Sequence, residues 1–193
     1  MRCFTAIVFP VACVDAISQH VQALDTQFRA AAIPAPSWER PSNLHCTLNF
    51  FGEIHEQQAR CVTAATRAAV NPTMFPVRLR LQGLGVFPDA LRPRVLWIGV
   101  EDLDGRLQRV QEVIGGVADK CGIPRTEHRE FRPHVTIGRW RGVFPNNEEY
   151  CRKLSDARAD FGEIEVGEVV MMQSAQSQDG VVYEPMARFP RAG

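Results

Sequence analysis

The stretch LHCTLNFFGE, Leu44–Glu53, places a histidine and a threonine two residues apart at the mouth of an apolar run. A second stretch, RPHVTIGRW, Arg132–Trp140, repeats the order: His134, one residue, Thr136, then an aliphatic side chain. In an extended strand residues i and i+2 lie on the same face, roughly 6.6 Å apart. His45 and Thr47 therefore share one face while Cys46 and Leu48 take the other, and His134 and Thr136 stand in the same relation to Val135 and Ile137. A single His-x-Thr carries little information, since five His and eight Thr in 193 residues give about 0.2 such motifs by chance. Two of them, each followed by an aliphatic residue, call for one common explanation.

Charge and composition limit what that explanation can be. The 22 basic and 22 acidic side chains cancel, and 45% of the residues are hydrophobic. A protein that coats nucleic acid would need excess positive charge to displace counterions from many phosphates; a single terminal phosphate needs only a few local charges. No apolar run approaches the roughly 20 residues needed to cross a bilayer. The amino terminus lacks the long apolar segment and small-residue cleavage site of a secretory signal, so the expected location is cytoplasmic. All six cysteines are then expected to be reduced thiols. None stands at C-x-x-C spacing or at a ligand-like interval from a histidine pair, and no metal site is expected.

Around the two motifs the chain reads as β α β α β β α β α β β. RCFTAIVFP is β-branched and aromatic and stops at Pro10, as a first strand would. Val14, Ile17, Val21, Leu24 and Phe28 recur at helical intervals, and Pro34 and Pro36 close that helix. His55 to Val70 is alanine-rich and helical in character. FPVRLRLQGLGVF alternates like a half-solvated strand, RVLWIGV is another strand, and LDGRLQRVQEVIGGVADKCG is a helix ended near Gly122. NEEYCRKLSDARADF reads as a last helix, and GEIEVGEVVMMQSAQSQDGVVYEPMARF as two strands joined at SQDG. Each half of the chain holds one His-x-Thr strand flanked by helices, a weak internal duplication. No linker is long enough to divide it, so residues 1–193 are expected to form one domain.

If the two motif strands lie side by side, two imidazoles and two hydroxyls converge. With an unperturbed pKa near 6.5, one imidazole can accept a proton from water while the other donates to a leaving oxygen. Threonine hydroxyls can donate to non-bridging phosphate oxygens. This set suits phosphodiester hydrolysis without a metal. Arg139 has the parity of Ile137 and would face away in a regular strand; a bulge or strand end at Gly138 would be needed to turn it towards a phosphate.

The motifs HCTL at 45–48 and HVTI at 134–137, about ninety residues apart, resemble those of the 2H phosphoesterase superfamily. The flanking text RPSNLHCTLNFFGE, LGVFPDALRPRVLWIGV, FRPHVTIGR and VYEPMARFP is similar to the RNA 2′,3′-cyclic phosphodiesterases, the LigT-like enzymes once described as 2′-5′ RNA ligases. The resemblance implies an α+β fold of two pseudo-symmetric lobes of mainly antiparallel sheet with outer helices, the active-site groove lying between them. It implies hydrolysis of an RNA-terminal or nucleoside 2′,3′-cyclic phosphate to a 2′-phosphate. His45 would be the proton donor and His134 the proton acceptor, with Thr47, Thr136 and Arg139 holding the phosphate. No metal or cofactor is implied, the partners are RNA ends or nucleotides, and the protein is expected to be a monomer. Alternatives are a 2′-5′ phosphodiesterase or ligase, another cyclic nucleotide phosphodiesterase, or a silent RNA-end binding module. Cys46 stands where the family more usually has leucine, and a core-facing position makes that a packing change.

Other features read as structural. Gly83 and Gly85 form a lone G-x-G without a following helix, more consistent with close backbone packing than with a dinucleotide site. Phe50 and Phe51 alternate faces, one to the core and one beside the groove. Arg125, His128, Arg129 and Arg132 form either a solvated loop or a basic rim before the second motif. His20 and His55 read as surface residues, Trp38 and Trp97 as packing groups.

Overall fold

The computed structural model describes residues 1–123, 130–141, 159–178 and 180–190. Among them are nine strands and three α-helices in the order β1 (Arg2–Val8), α1 (Val11–Ala30), β2 (Ser37–Trp38), β3 (His45–Glu53), α2 (Glu56–Ala69), β4 (Val77–Phe87), β5 (Val95–Asp102), α3 (Arg106–Lys120), β6 (His134–Arg139), β7 (Asp160–Val166), β8 (Val169–Ser177) and β9 (Gly180–Phe189). The fold is α+β, and all strand pairings are antiparallel.

Strand order across the sheet is β7-β4-β5-β6-β3-β1-β8-β9, with β2 added beside β6. The two His-x-Thr strands, β3 and β6, meet at the centre, and three strands extend outward from each. The inner pair joins through a single bridge, Cys46 opposite Val135. The halves of this pattern are not the halves of the sequence: β1 and β3 are completed by the carboxy-terminal hairpin β8-β9, while β7 pairs with β4.

Strand alternation decides which side chains face the helices. Cys3 and Ile7 of β1, Cys46 and Leu48 of β3, and Val135 and Ile137 of β6 join Ile17, Leu24 and Phe28 of α1, Val62 of α2 and Leu107, Val110 and Ile114 of α3 in one buried core. The neighbours Phe4 and Ala6 of β1 point the other way, forming a smaller cluster with Val170 and Met172 on the opposite face. Full burial of each large side chain contributes roughly 1.5–3 kcal/mol, so a one-residue slip that exchanged the faces would be strongly resisted. The α1 periodicity held its expected face, although the helix stops at Ala30, before the prolines, where the chain turns through Ala32 at φ 53°.

Three expectations need correction. Residues 160 and 161, placed at the end of a last helix, belong to β7, and DFGEIEV is a strand apart from the terminal hairpin. The carboxy-terminal segment therefore supplies three strands; the rest of the expected helix, 147–158, lies outside the described residues. Second, Cys61 and Cys121 form a disulfide between α2 and the end of α3, while Cys3, Cys13 and Cys46 are buried free thiols. The sequence separation of 60 hid that pairing, because only the packing of α2 on α3 brings the thiols together. Third, His20 is half-buried with its ring edge-on to Phe161 at 5.3 Å. Among the described residues no helix is long and apolar enough to cross a membrane.

Candidate active site

Each histidine is held by the backbone that leads into its strand. His45 Nδ1 lies 2.6 Å from the Asn43 carbonyl, and His134 Nδ1 lies 2.8 Å from the Arg132 carbonyl. A carbonyl only accepts, so Nδ1 carries the proton in both rings and Nε2 is the nitrogen that titrates. At His45, Nε2 is 3.0 Å from the Thr47 hydroxyl, which donates to it when the ring is neutral. Asn43 is itself fixed, its side-chain amide donating to the Val181 carbonyl of β9 at 2.9 Å.

The bridge between Cys46 and Val135 sets the relation of the two motifs. In an antiparallel pair the flanking positions fall opposite one another, placing His45 across from Thr136 and Thr47 across from His134, all on the face opposite the core. The charge on His134 disfavours the protonated form of His45. Cys46 is fully buried and its thiol is pushed up to about 12 by burial, so it packs and takes no part in chemistry.

Aromatic rings flank each histidine in matching fashion. His45 lies 5.0 Å from Phe4 and 4.9 Å from Tyr183, and His134 lies 5.0 Å from Phe87 and 6.2 Å from Trp97. Trp97 in turn lies over Gly85, where any Cβ would sit 2.1 Å from the indole. The close-packing reading of Gly85 holds, and Gly83 adopts φ +71° at a break in the β4–β5 register. Trp97 does more than pack, because its ring is part of the wall around His134. Phe51 is buried at 4% exposure while Phe50, at 37%, stays outside under the Arg2 guanidinium.

The environments differ in one respect that the sequence could not show. Burial lowers the His45 pKa below the ordinary histidine value, opposed by the Asn43 hydrogen bond and the Glu39 carboxylate and assisted by Arg139 and His134. Burial also raises the Tyr183 phenol. On the other side, β3 and β6 part beyond their single bridge, and a cleft of about 1040 Å³ opens beside Thr47 and His134, with Phe50, Phe87, Arg94 and Gln111 among its walls.

Arg139 reaches this face because β6 is irregular. Trp97 of β5 pairs with Thr136 and Leu96 with Gly138, so Ile137 is an extra residue in the β6 edge. Ile137 and Gly138 are both buried, and Arg139 emerges exposed. That is the bulge its parity required. Its Nε donates to Glu39, at 3.0 Å. Of the basic run, Arg125, His128 and Arg129 lie outside the described residues, and Arg132 is exposed and paired with Glu130. Glu39, Asn43, Phe4, Tyr183 and Phe87 were not singled out as site residues; the shared offset of two residues from carbonyl to histidine, N-L-H and R-P-H, was the signal for the backbone anchors.

A family model described as the 2′-5′ RNA ligase superfamily matches residues 13–178. The chain belongs to the 2′-5′ RNA ligase superfamily. Among the relatives of this superfamily member, a protein of Aquifex aeolicus named RNA 2′,3′-cyclic phosphodiesterase is 35% identical over 157 residues, covering 81% of this chain and 82% of its own. A protein of Methanocaldococcus jannaschii with the same name is 28% identical over 184 residues, 95% of this chain and 97% of its own. The fold matches the crystal structure of TT0787 of Thermus thermophilus at a TM-score of 0.74, with 24% identity and 98% and 97% of the two chains covered.

Proposed function

We propose that this superfamily member hydrolyses a 2′,3′-cyclic phosphate at an RNA end or on a nucleoside to a 2′-phosphate, with His45 and His134 as its acid and base. The observation that carries this reading is the pair of imidazoles whose Nδ1 atoms are both committed to a backbone carbonyl, which fixes the proton-exchanging nitrogen of each. The names of the relatives supply the substrate class.

In the proposed reaction water attacks phosphorus and gives its proton to His134 Nε2. The bond from phosphorus to the ribose 3′ oxygen breaks, and that oxygen takes a proton from His45 Nε2. Thr47, Thr136 and Arg139 hold the non-bridging oxygens and offset the charge that builds on them. This direction is supported by the resemblance and by the surroundings: His45 sits between Phe4 and Tyr183, where the nucleoside that carries the leaving 3′ oxygen finds apolar contact, whereas His134 borders the open cleft from which water arrives. No step is assigned to a metal, and activity is expected to persist in EDTA.

The test is product analysis on an oligonucleotide ending in a 2′,3′-cyclic phosphate. A terminal 2′-phosphate is expected, and His45→Ala or His134→Ala each lowers turnover by at least about a hundredfold. Undiminished turnover in either variant would remove the acid–base pair. The cleft beside His134 favours a second reading within the same chemistry, in which a 5′ hydroxyl replaces water and a 2′-5′ linkage forms; adding a 5′-hydroxyl oligonucleotide to the same assay separates the two products.

A further inference from the structure

Arg139 stands beside the proposed phosphate position with a carboxylate already on it. Glu39 Oε1 accepts from Arg139 Nε at 3.0 Å, and the acid is 17% exposed while the arginine is 50% exposed. Among the described residues the two Nη nitrogens of Arg139 make no hydrogen bond. A guanidinium held through Nε keeps its Nη edge for a second acceptor, and that edge is the one that meets phosphate oxygens in a bidentate fashion.

Local structure places Glu39 with care. The two-residue strand β2 pairs Ser37 with Arg139 and Trp38 with Gly138, and the Glu39 N–H donates to the Ile137 carbonyl at 2.9 Å. Trp38 is anchored on the core side, edge-on to Phe28 and with its indole N–H donating to Asp25. Successive strand residues face opposite ways, so seating Trp38 in the core turns Glu39 towards the histidines. Gly138 is part of the same arrangement, since a Cβ there would come within 2.8 Å of the Pro36 ring and 3.2 Å of Trp38.

We propose that Glu39 is a positioning residue for the phosphate site: it orients Arg139 through Nε and balances the guanidinium charge that His45 would otherwise face alone. The inference rests on the acid–base reading of His45 given above. The charged and titratable groups around His45 are Glu39 from the β2–β3 connection, Arg139 and His134 from β6, and Tyr183 from β9. Glu39 favours the imidazolium, whereas Arg139 and His134 disfavour it. Without Glu39, the guanidinium would both lose its orientation and bias the ring further towards the neutral form.

Two variants separate these effects. Glu39→Gln keeps an oxygen acceptor for Nε and removes the charge; Glu39→Ala removes both. In Glu39→Gln the His45 imidazole, followed by NMR with inorganic phosphate as the bound anion, titrates at lower pH than in the wild-type protein, and KM for a 2′,3′-cyclic phosphate stays within about twofold, since the orienting bond survives. In Glu39→Ala the same titration shift appears and kcat/KM falls about tenfold to a hundredfold through loss of orientation. A His45 titration in Glu39→Gln that coincides with wild type overturns the charge-balancing role, and a wild-type kcat/KM in Glu39→Ala overturns the orienting role. The titration needs no turnover, so it reads Glu39 even in a protein that leaves cyclic phosphates intact, an outcome that would sink the proposed reaction instead.

Discussion

In the proposed reaction His45 donates a proton from a place that discourages its proton. Burial against Phe4 and Tyr183 lowers its pKa, so in the free protein the donating form is populated only below the ordinary value of about 6.5. An anionic phosphate in the groove reverses that preference by favouring the charged ring. The profile of kcat/KM, which reports the free protein, is therefore expected to decline on its alkaline side below about pH 6.5, and the profile of kcat to decline at higher pH. Rates measured on a cyclic nucleotide between pH 4.5 and 9 check this; an alkaline limb above pH 7 in kcat/KM would contradict a lowered His45 pKa in the free protein. The two histidines and two threonines were legible in the sequence because alternation in a strand needs only the residue count. What tunes the pKa of His45 was not legible, because Phe4 and Tyr183, which bury the ring, and Glu39, which opposes the effect of that burial, come from three separate elements.

The elements that matter most are the irregular ones. The extra residue at Ile137 turns Arg139 to the face that carries the two histidines, and the sequence could state only the condition, since a bulge is settled by the register of β5 and β2 against β6. On β4, Gly85 matters for its close packing, in register opposite Trp97. Gly85→Ala would drive a methyl to 2.1 Å from the Trp97 ring, with backbone on one side and a packed indole on the other. The expected cost is about 1–3 kcal/mol of stability, together with a loss of activity as Trp97 shifts against His134. Urea unfolding and turnover measured side by side test this, and a variant with unchanged values of both would show that the indole moves aside freely. The Gly-x-Gly pair was thus visible as a packing feature, but its partner was not, because Gly85 and Trp97 meet only across a strand pair.

At the scale of the whole molecule, the chain builds a symmetric sheet from an asymmetric path: the carboxy-terminal hairpin returns to complete the side that begins with β1. The Cys61–Cys121 disulfide adds a constraint between α2 and α3. A cross-link spanning 60 residues removes loop entropy from the unfolded chain worth about 4 kcal/mol in the chain-entropy model. The double variant Cys61→Ser/Cys121→Ser is expected to unfold at a lower urea concentration than the oxidised wild type, and a reducing agent should bring the wild type down to match; equal midpoints throughout would mean that the bond contributes nothing. The sequence by itself determined the two His-x-Thr strands, their faces and the amphipathic helices, because these depend on local periodicity and on residues a few positions apart; the family came from the resemblance of its two motifs and their flanks. Tertiary structure alone decided that the two strands touch through one bridge, that β7 leaves the terminal hairpin for the opposite edge, that two distant cysteines pair, and that Glu39 holds Arg139. Each of those depends on which surfaces pack together in space, and distance along the chain carries no record of it.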